Sequence, residues 1–168
     1  MIWAALDALR TDEMDLILWR HADARDAEDG EDDLLRPLTP RGEKQARRMA
    51  EWLDRLLPSG TRVLVSPARR AQQTADALQR RMRTLDALAP QAGLSQLLTA
   101  ARWPESPEPV LVVGHQPTLG QAAAWLMTGE LPAHPWSIRK GSIWWLRRRE
   151  REHGAEVVLV AVRTPDLM

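Results

Sequence analysis

The sequence predicts an α/β fold: a three-layer sandwich with a mostly parallel sheet, helices on both faces and an antiparallel hairpin at one edge. Three observations predict it. The short apolar runs Asp15–Trp19, Arg62–Val65 and Val110–Val113 read as buried strands. Segments of helical periodicity separate them, which is what parallel neighbours need for their crossovers. Two further strand patterns, Ser142–Arg148 and Glu156–Arg163, are joined by the polar turn Glu150–Gly154, so they pair as a hairpin.

The elements follow in order. Residues 1–13 read as an N-terminal extension and residues 14–168 as a single domain. Asp7, Arg10, Asp12 and Glu13 interrupt the apolar character a signal peptide needs, and Met14 is an alternative start. The first strand ends at Arg20 and His21. Asp23 to Asp33 is acid-rich and reads as a solvated loop. Thr39 can cap a helix and Pro40 suits its first position. Ala46, Met49, Ala50, Leu53 and Leu57 then recur at helical spacing until Pro58-Ser59-Gly60. Pro67 opens a second helix, with Ala71, Thr74, Ala75 and Leu78 on one face. A short strand is expected near Thr84–Leu88 and a helix from Leu94 to Arg102, followed by a linker with Pro104, Pro107 and Pro109. Leu119–Met127 is helical and stops near Gly129.

Composition narrows the function. The chain has 168 residues, with 23 Lys plus Arg against 23 Asp plus Glu, so no global field draws it to nucleic acid or an anionic membrane. Cysteine is absent, which removes disulfides, zinc thiolates and thiol nucleophiles. Tyrosine is also absent, so no phenol can act as acid or base. No stretch approaches the ~20 apolar residues of a membrane span. A cytoplasmic monomer is the expectation.

The chemistry gathers at strand ends. The first strand runs into Arg20 and His21, the second into Ser66, Pro67, Ala68, Arg69 and Arg70, the third into Gly114 and His115. Ligands of open α/β sheets bind beyond the carboxyl ends of the strands. If these strands are neighbours, two imidazoles and two or more guanidiniums meet in one pocket with no acid in the three segments. Such a pocket suits phosphate, whose oxygens match the arginine fork. Carboxylates on rigid positions, which a magnesium site needs, are missing, so no metal or cofactor is expected. Nearby cations keep an imidazole neutral and nucleophilic. Arg69 is the weaker member, and His134 and His153 sit in polar loop contexts outside this group.

These residues carry a family resemblance. Leu16 to Ala24 (LILWRHADA) resembles the Arg-His-Gly signature of the histidine phosphatase (phosphoglycerate mutase-like) superfamily. Arg36 to Ala46 (RPLTPRGEKQA) is similar to its first-helix motif. Val65 to Ala75 (VSPARRAQQTA) is similar to its second arginine motif, and Val113 to Pro117 (VGHQP) to its second-histidine motif. The order and spacing agree over residues 14–128. The short chain and the acidic loop before Arg36 resemble the SixA-type phosphohistidine phosphatases, which act on phosphorylated histidine in signalling proteins. The resemblance implies His21 as nucleophile, Arg20 and Arg70 as phosphate ligands and His115 as the group that orients or stabilises the phosphoryl. Ser66 joins Arg20, Arg70 and His115 as an expected substrate contact. Ala22 departs from the motif, where glycine is usual.

Larger members of the superfamily carry an acid between the second arginine motif and the second histidine. Here Asp76, Asp86, Glu105 and Glu108 fall in no such motif. An imidazole leaving group needs a dedicated acid less than an alkoxide does, so a phosphohistidine-bearing protein is the expected partner. Two alternatives stand beside it: a small-molecule phosphomonoesterase using Asp86 or Asp23, and a non-catalytic phosphoprotein-binding module. The acidic loop either solvates the surface, repels small polyanions or docks a basic phosphoprotein surface. Trp136, Trp144 and Trp145 are expected to pack the edge strands, and Arg147–Arg151 to form the exposed end of the hairpin.

Overall fold

The computed structural model describes residues 13–167. Apart from Glu13, the expected N-terminal extension lies outside the described residues. The architecture is the expected α/β sandwich. Six strands, β1 (Glu13–Arg20), β2 (Arg62–Val65), β3 (Met82–Thr84), β4 (Val110–Gly114), β5 (Ile143–Arg151) and β6 (Gly154–Arg163), form one sheet in the order β3-β2-β4-β1-β5-β6. The first four in that order are parallel, while β5 runs antiparallel to β1 and β6 antiparallel to β5. The hairpin therefore closes one edge.

Alternation along the strands builds two cores. Leu16 and Leu18 of β1, Leu64 of β2 and Val110 and Val112 of β4 face one side. There they meet α3 (Leu94–Ala101) and α4 (Thr118–Thr128) through Leu97, Ala101, Leu119 and Ala122. Ile17, Trp19, Val63, Val65, Leu111 and Val113 face the other side. They pack on α1 (Pro40–Asp54) and α2 (Arg69–Asp76) through Met49, Leu53, Ala71 and Ala75. A strand covered on both faces reads as a continuous apolar run, which is why these three were visible in sequence. Each fully buried Leu, Val or Ile contributes roughly 1.5–3 kcal/mol relative to exposure.

Local chemistry sets the helix ends. The Thr39 hydroxyl accepts from the Gly42 N–H at 3.0 Å, and Pro40 occupies the first turn. Arg102 and Gly129 close α3 and α4 in the left-handed conformation. The expected second helix starts at Arg69 instead of Pro67, because Ala68 is extended.

The strand expected near Thr84–Leu88 lies earlier, at Met82–Thr84, and Asp86–Leu88 is a 3₁₀ turn. An edge strand of three residues with Arg83 and Thr84 exposed has no apolar alternation to read. The three-residue spacing of Leu85 and Leu88 belongs to the turn that follows.

The hairpin is longer than expected, with pairing down to Arg151 and Gly154. Its arginines are paired along the strands. Arg147 grips the buried Asp15 through Nε at 2.6 Å and Nη2 at 2.8 Å, across the β1–β5 register. Arg148 pairs with Glu150, and Arg149 and Arg151 with Glu156. Trp145 is buried in the core that faces α1 and α2, and Trp136 and Trp144, 6.1 Å between ring centroids, pack against the opposite core. Core packing thus accounts for all three.

Gly42 shows how closely α1 approaches the chain that leaves β1. A Cβ there would stand 1.9 Å from the backbone oxygen of Asp23. Gly42→Ala should therefore destabilise the protein by about 1–3 kcal/mol, the range for overpacking. Gly60, where an added Cβ would meet nothing within 4 Å, is the control, and Gly60→Ala should stay near wild type. Urea midpoints of the two variants check this.

Candidate active site

The strands that end in chemistry are neighbours: β2, β4 and β1 lie side by side. Ladder hydrogen bonds continue into their ends. The His21 N–H donates to the Gly114 carbonyl at 3.1 Å, and the Ser66 N–H to the Val113 carbonyl at 3.1 Å. Adjacent strands are about 4.8 Å apart. The His21 and His115 rings accordingly meet, with centroids 5.2 Å apart. Arg20, Arg70 and both imidazoles lie within electrostatic reach of one another.

His21 is buried, and its Nδ1 lies 2.8 Å from the Ala22 carbonyl oxygen. A carbonyl only accepts, so Nδ1 carries the proton and Nε2 keeps its lone pair. Burial first, then the charges of Arg70, Arg20 and Lys140, push the His21 pKa down to about 4 against the raising effect of that bond. The ring is neutral at pH 7 and held in one orientation. Ala22 keeps a negative φ, since the non-glycine residues with positive φ are Gln79 and Arg102. Its N–H donates to Thr74 Oγ1 at 3.0 Å, and its methyl packs with Ala24, Leu38 and Ala46. Alanine fits where glycine is usual.

Ser66 has a different place from the expected substrate contact. It is fully buried, and its Oγ accepts from the Ala68 N–H at 3.1 Å and lies 2.7 Å from His115 Nε2. Among the described residues, His115 Nε2 is the acceptor within reach of the Ser66 proton. That bond puts the His115 proton on Nδ1, which is buried and has no hydrogen-bond partner. Burial, then His21 and Arg70, lower the His115 pKa to about 3, so its Nδ1–H is a neutral donor.

Arg20 Nη1 donates to the Ile138 carbonyl at 2.8 Å. The Nε atoms of Arg20 and Arg70 are buried without partners. Three buried donors without acceptors suit an oxyanion, since burying a donor unpaired is costly. Arg69 is exposed at the start of α2, and His134 and His153 are exposed in turns.

The acidic loop is more than a solvated turn. It folds on its own ion pairs, Arg25 with Glu28 and Glu31, and Arg36 with Asp33. It also delivers Asp33 into the site. Arg70 Nη2 donates to Asp33 Oδ2 at 2.9 Å and Nη1 to the Asp33 backbone oxygen at 2.7 Å. Partial burial opposes ionisation of Asp33, but bonds from Arg70 and Arg36 outweigh it and hold the carboxyl below its usual range. The three strand-end segments hold no acid, and the loop supplies this one from outside them. Lys140 is the second group not anticipated, 3.2 Å from Asp23 Oδ1 and close enough to influence His21. Asp33 stood out from its loop by no local pattern, whereas Lys140 is one of only two lysines in the chain.

Two of the other candidate acids are placed elsewhere. Asp76 lines a cleft with Glu43, Arg47 and Glu51, and Asp86 opens the 3₁₀ turn after β3. Asp23 flanks Arg20, held by Thr39 Oγ1 at 2.8 Å. Among the described residues, no group of three or more His, Asp or Glu side chains gathers as metal ligands do. No helix there is long and apolar enough to cross a membrane.

A parallel sheet with two neutral imidazoles and two arginines at its carboxyl end defines a phosphoryl-handling site of the histidine phosphatase kind. The sequence model of the histidine phosphatase superfamily (branch 1) matches residues 16–95. The phosphohistidine phosphatase SixA of Escherichia coli (strain K12) is 37% identical over 127 residues, spanning 71% of this chain and 78% of that protein. A structure of the protein histidine phosphatase SixA complexed with tungstate superposes with TM-score 0.71 at 29% identity, covering 92% of this chain and 100% of the other. A SixA candidate from Nakamurella multipartitia gives TM-score 0.73 at 31% identity, with 91% and 96% covered. The chain belongs to the histidine phosphatase superfamily, and it is a hydrolase of the phosphatase class.

Two outcomes are expected. The histidine pKa values lie below the ordinary 6.5, so the unfolded chain binds more protons as the pH falls below 6.5. Stability should therefore be full above pH 6.5 and decline as the pH drops toward about 4. The His21→Ala, His115→Ala double variant should show a smaller decline in urea midpoint between pH 7 and pH 5. Ser66→Ala should lower kcat by roughly 10–100-fold with KM little changed, because it releases the His115 tautomer whose Nδ1–H is the donor. Steady-state kinetics with the chain's best phosphoryl donor measure it.

Proposed function

We propose that the protein hydrolyses phosphohistidine on a partner protein through a phosphoryl group carried by His21. The observation that carries this is the state of the carboxylates beside the nucleophile. Asp33 is held ionised by Arg70 and Arg36. Asp23 is likewise kept below its usual range, with Thr39 and Lys140 outweighing its partial burial. Neither is poised to protonate an alkoxide, and ester cleavage loses the ~10²–10⁴-fold that general acid catalysis supplies. An imidazole protonated on its other nitrogen leaves without that help. Similarity to SixA proteins supports the same substrate class.

The steps follow from the geometry. The Nε2 lone pair of His21 attacks phosphorus, forming one P–N bond while the substrate's P–N bond breaks. The leaving imidazole departs neutral, with its proton on the distal nitrogen. Arg20 and Arg70 bind the phosphoryl oxygens, and His115 Nδ1–H donates to the oxygen on which charge builds. Arg70 must share its fork between Asp33 and the phosphoryl group. The Ala22 carbonyl stabilises His21 as the imidazole carries phosphorus. Water then attacks, the P–Nε2 bond breaks, and inorganic phosphate is released.

Phosphate loss from a purified phosphohistidine protein, run beside an aryl phosphate, tests the proposal. Wild type should clear phosphohistidine fast and the ester slowly, and His21→Ala should lose at least about 10³-fold. Fast ester turnover with phosphohistidine untouched would replace this substrate with a small phosphomonoester. Saturable phosphoprotein binding with no turnover would make the chain a binding module.

A further inference from the structure

Away from the active site, arginines concentrate along the open edge formed by β3. Two recesses meet there, of about 900 and 470 Å³, sharing Arg62 and Arg83. Arg80 and Arg81 add to the first and Arg102 to the second, and no acidic residue lines either. Only Arg80 of the five has a carboxylate partner among the described residues, Asp54 at 2.8 Å. Arg62 touches only neutral acceptors, Ser106 Oγ and the Ala100 carbonyl, both at 3.4 Å. In a chain of zero net charge, Arg147, Arg148, Arg149 and Arg151 of the hairpin are by contrast matched by acids.

The backbone of this edge is open as well. β3 is the terminal strand of the sheet. The Leu85 N–H donates inward to the Val65 carbonyl, so by the two-residue period the backbone groups of Met82 and Thr84 face outward. Charged edges guard against pairing with a second copy of the same edge. The same charges admit a strand of opposite sign.

We propose that this edge docks an acidic, extended segment of a partner protein. The segment's backbone pairs with Met82 and Thr84, and its carboxylates meet Arg62, Arg81, Arg83 and Arg102. A polypeptide fits better than nucleic acid, since no aromatic side chain lines the recesses to stack a base. The proposal is independent of the phosphatase mechanism, for it uses neither His21 nor Arg70.

Fluorescence anisotropy tests it, with a labelled Glu-rich decapeptide and, in parallel, a labelled oligothymidylate titrated with the full chain. The peptide should bind saturably and weaken as salt rises. Arg81→Glu, Arg83→Glu should weaken it by at least about tenfold, because exposed ion pairs set such contacts. Turnover of a small phosphoryl donor should stay at the wild-type level in that variant, which confirms that it is folded. Arg102→Glu alone should give a smaller loss in the same direction. Absence of saturable peptide binding, undiminished binding by the charge-reversed variants, or preference for the oligothymidylate would each overturn the proposal.

Discussion

Everything at the site depends on the parallel hydrogen-bond ladder that carries β2, β4 and β1 to a common end. Its last rungs, from the His21 and Ser66 N–H groups to the carbonyls of Gly114 and Val113, bring three separate segments side by side, the outer two each one strand spacing from the central one. The ladder holds because both of its faces are buried. Ile17 and Trp19 face α1 and α2, while Leu16 and Leu18 face α3 and α4. A register slip of one residue would turn every one of these side chains to the wrong core. The same slip would separate the two imidazoles. Stability of the sheet and alignment of the two imidazoles are thus one constraint.

Around that ladder the chain holds residues 19–23 from several sides. Gly141, at φ +77°, lets its N–H reach the carbonyls of Arg20 and His21, and its own carbonyl accepts from Trp19 Nε1 at 3.1 Å. Gln45 Oε1 accepts from the Asp23 N–H at 2.9 Å, and Thr74 Oγ1 from the Ala22 N–H. These neutral bonds fix the backbone whose Ala22 carbonyl orients the His21 ring. Orientation by backbone is insensitive to pH, so the tautomer of His21 survives whatever the surrounding carboxylates do.

Charge at the site is balanced without being cancelled. Burial and guanidinium charge together keep both histidines neutral. The Asp33 carboxylate sits on Arg70 from the loop side and holds the guanidinium in place. A fork fixed in advance loses less freedom on binding. An arginine already paired is also a weaker trap for released phosphate.

How much of this was legible in the sequence varied with the physics of each element. The three doubly buried strands could be read because burial on both faces leaves an unbroken apolar run. Thr39-Pro40 announced a helix because capping is local. β3 hid, since an exposed three-residue edge leaves no hydrophobic alternation. Asp33 hid because its partner Arg70 is 37 residues away and nothing local distinguishes it from the other acids of its loop. Ser66 was read as a substrate contact, and only the packing of β2 against β4 turns its hydroxyl to His115. By itself the sequence determined the fold class and brought out Arg20, His21, Arg70 and His115 as candidates, because periodicity, caps and strand-end motifs are properties of neighbouring residues. The tertiary structure alone decided which nitrogen of each histidine is free, which carboxylate meets which arginine and which edge is left open. Those outcomes are set by contacts between residues far apart in the chain, and such contacts exist only once the sheet has formed.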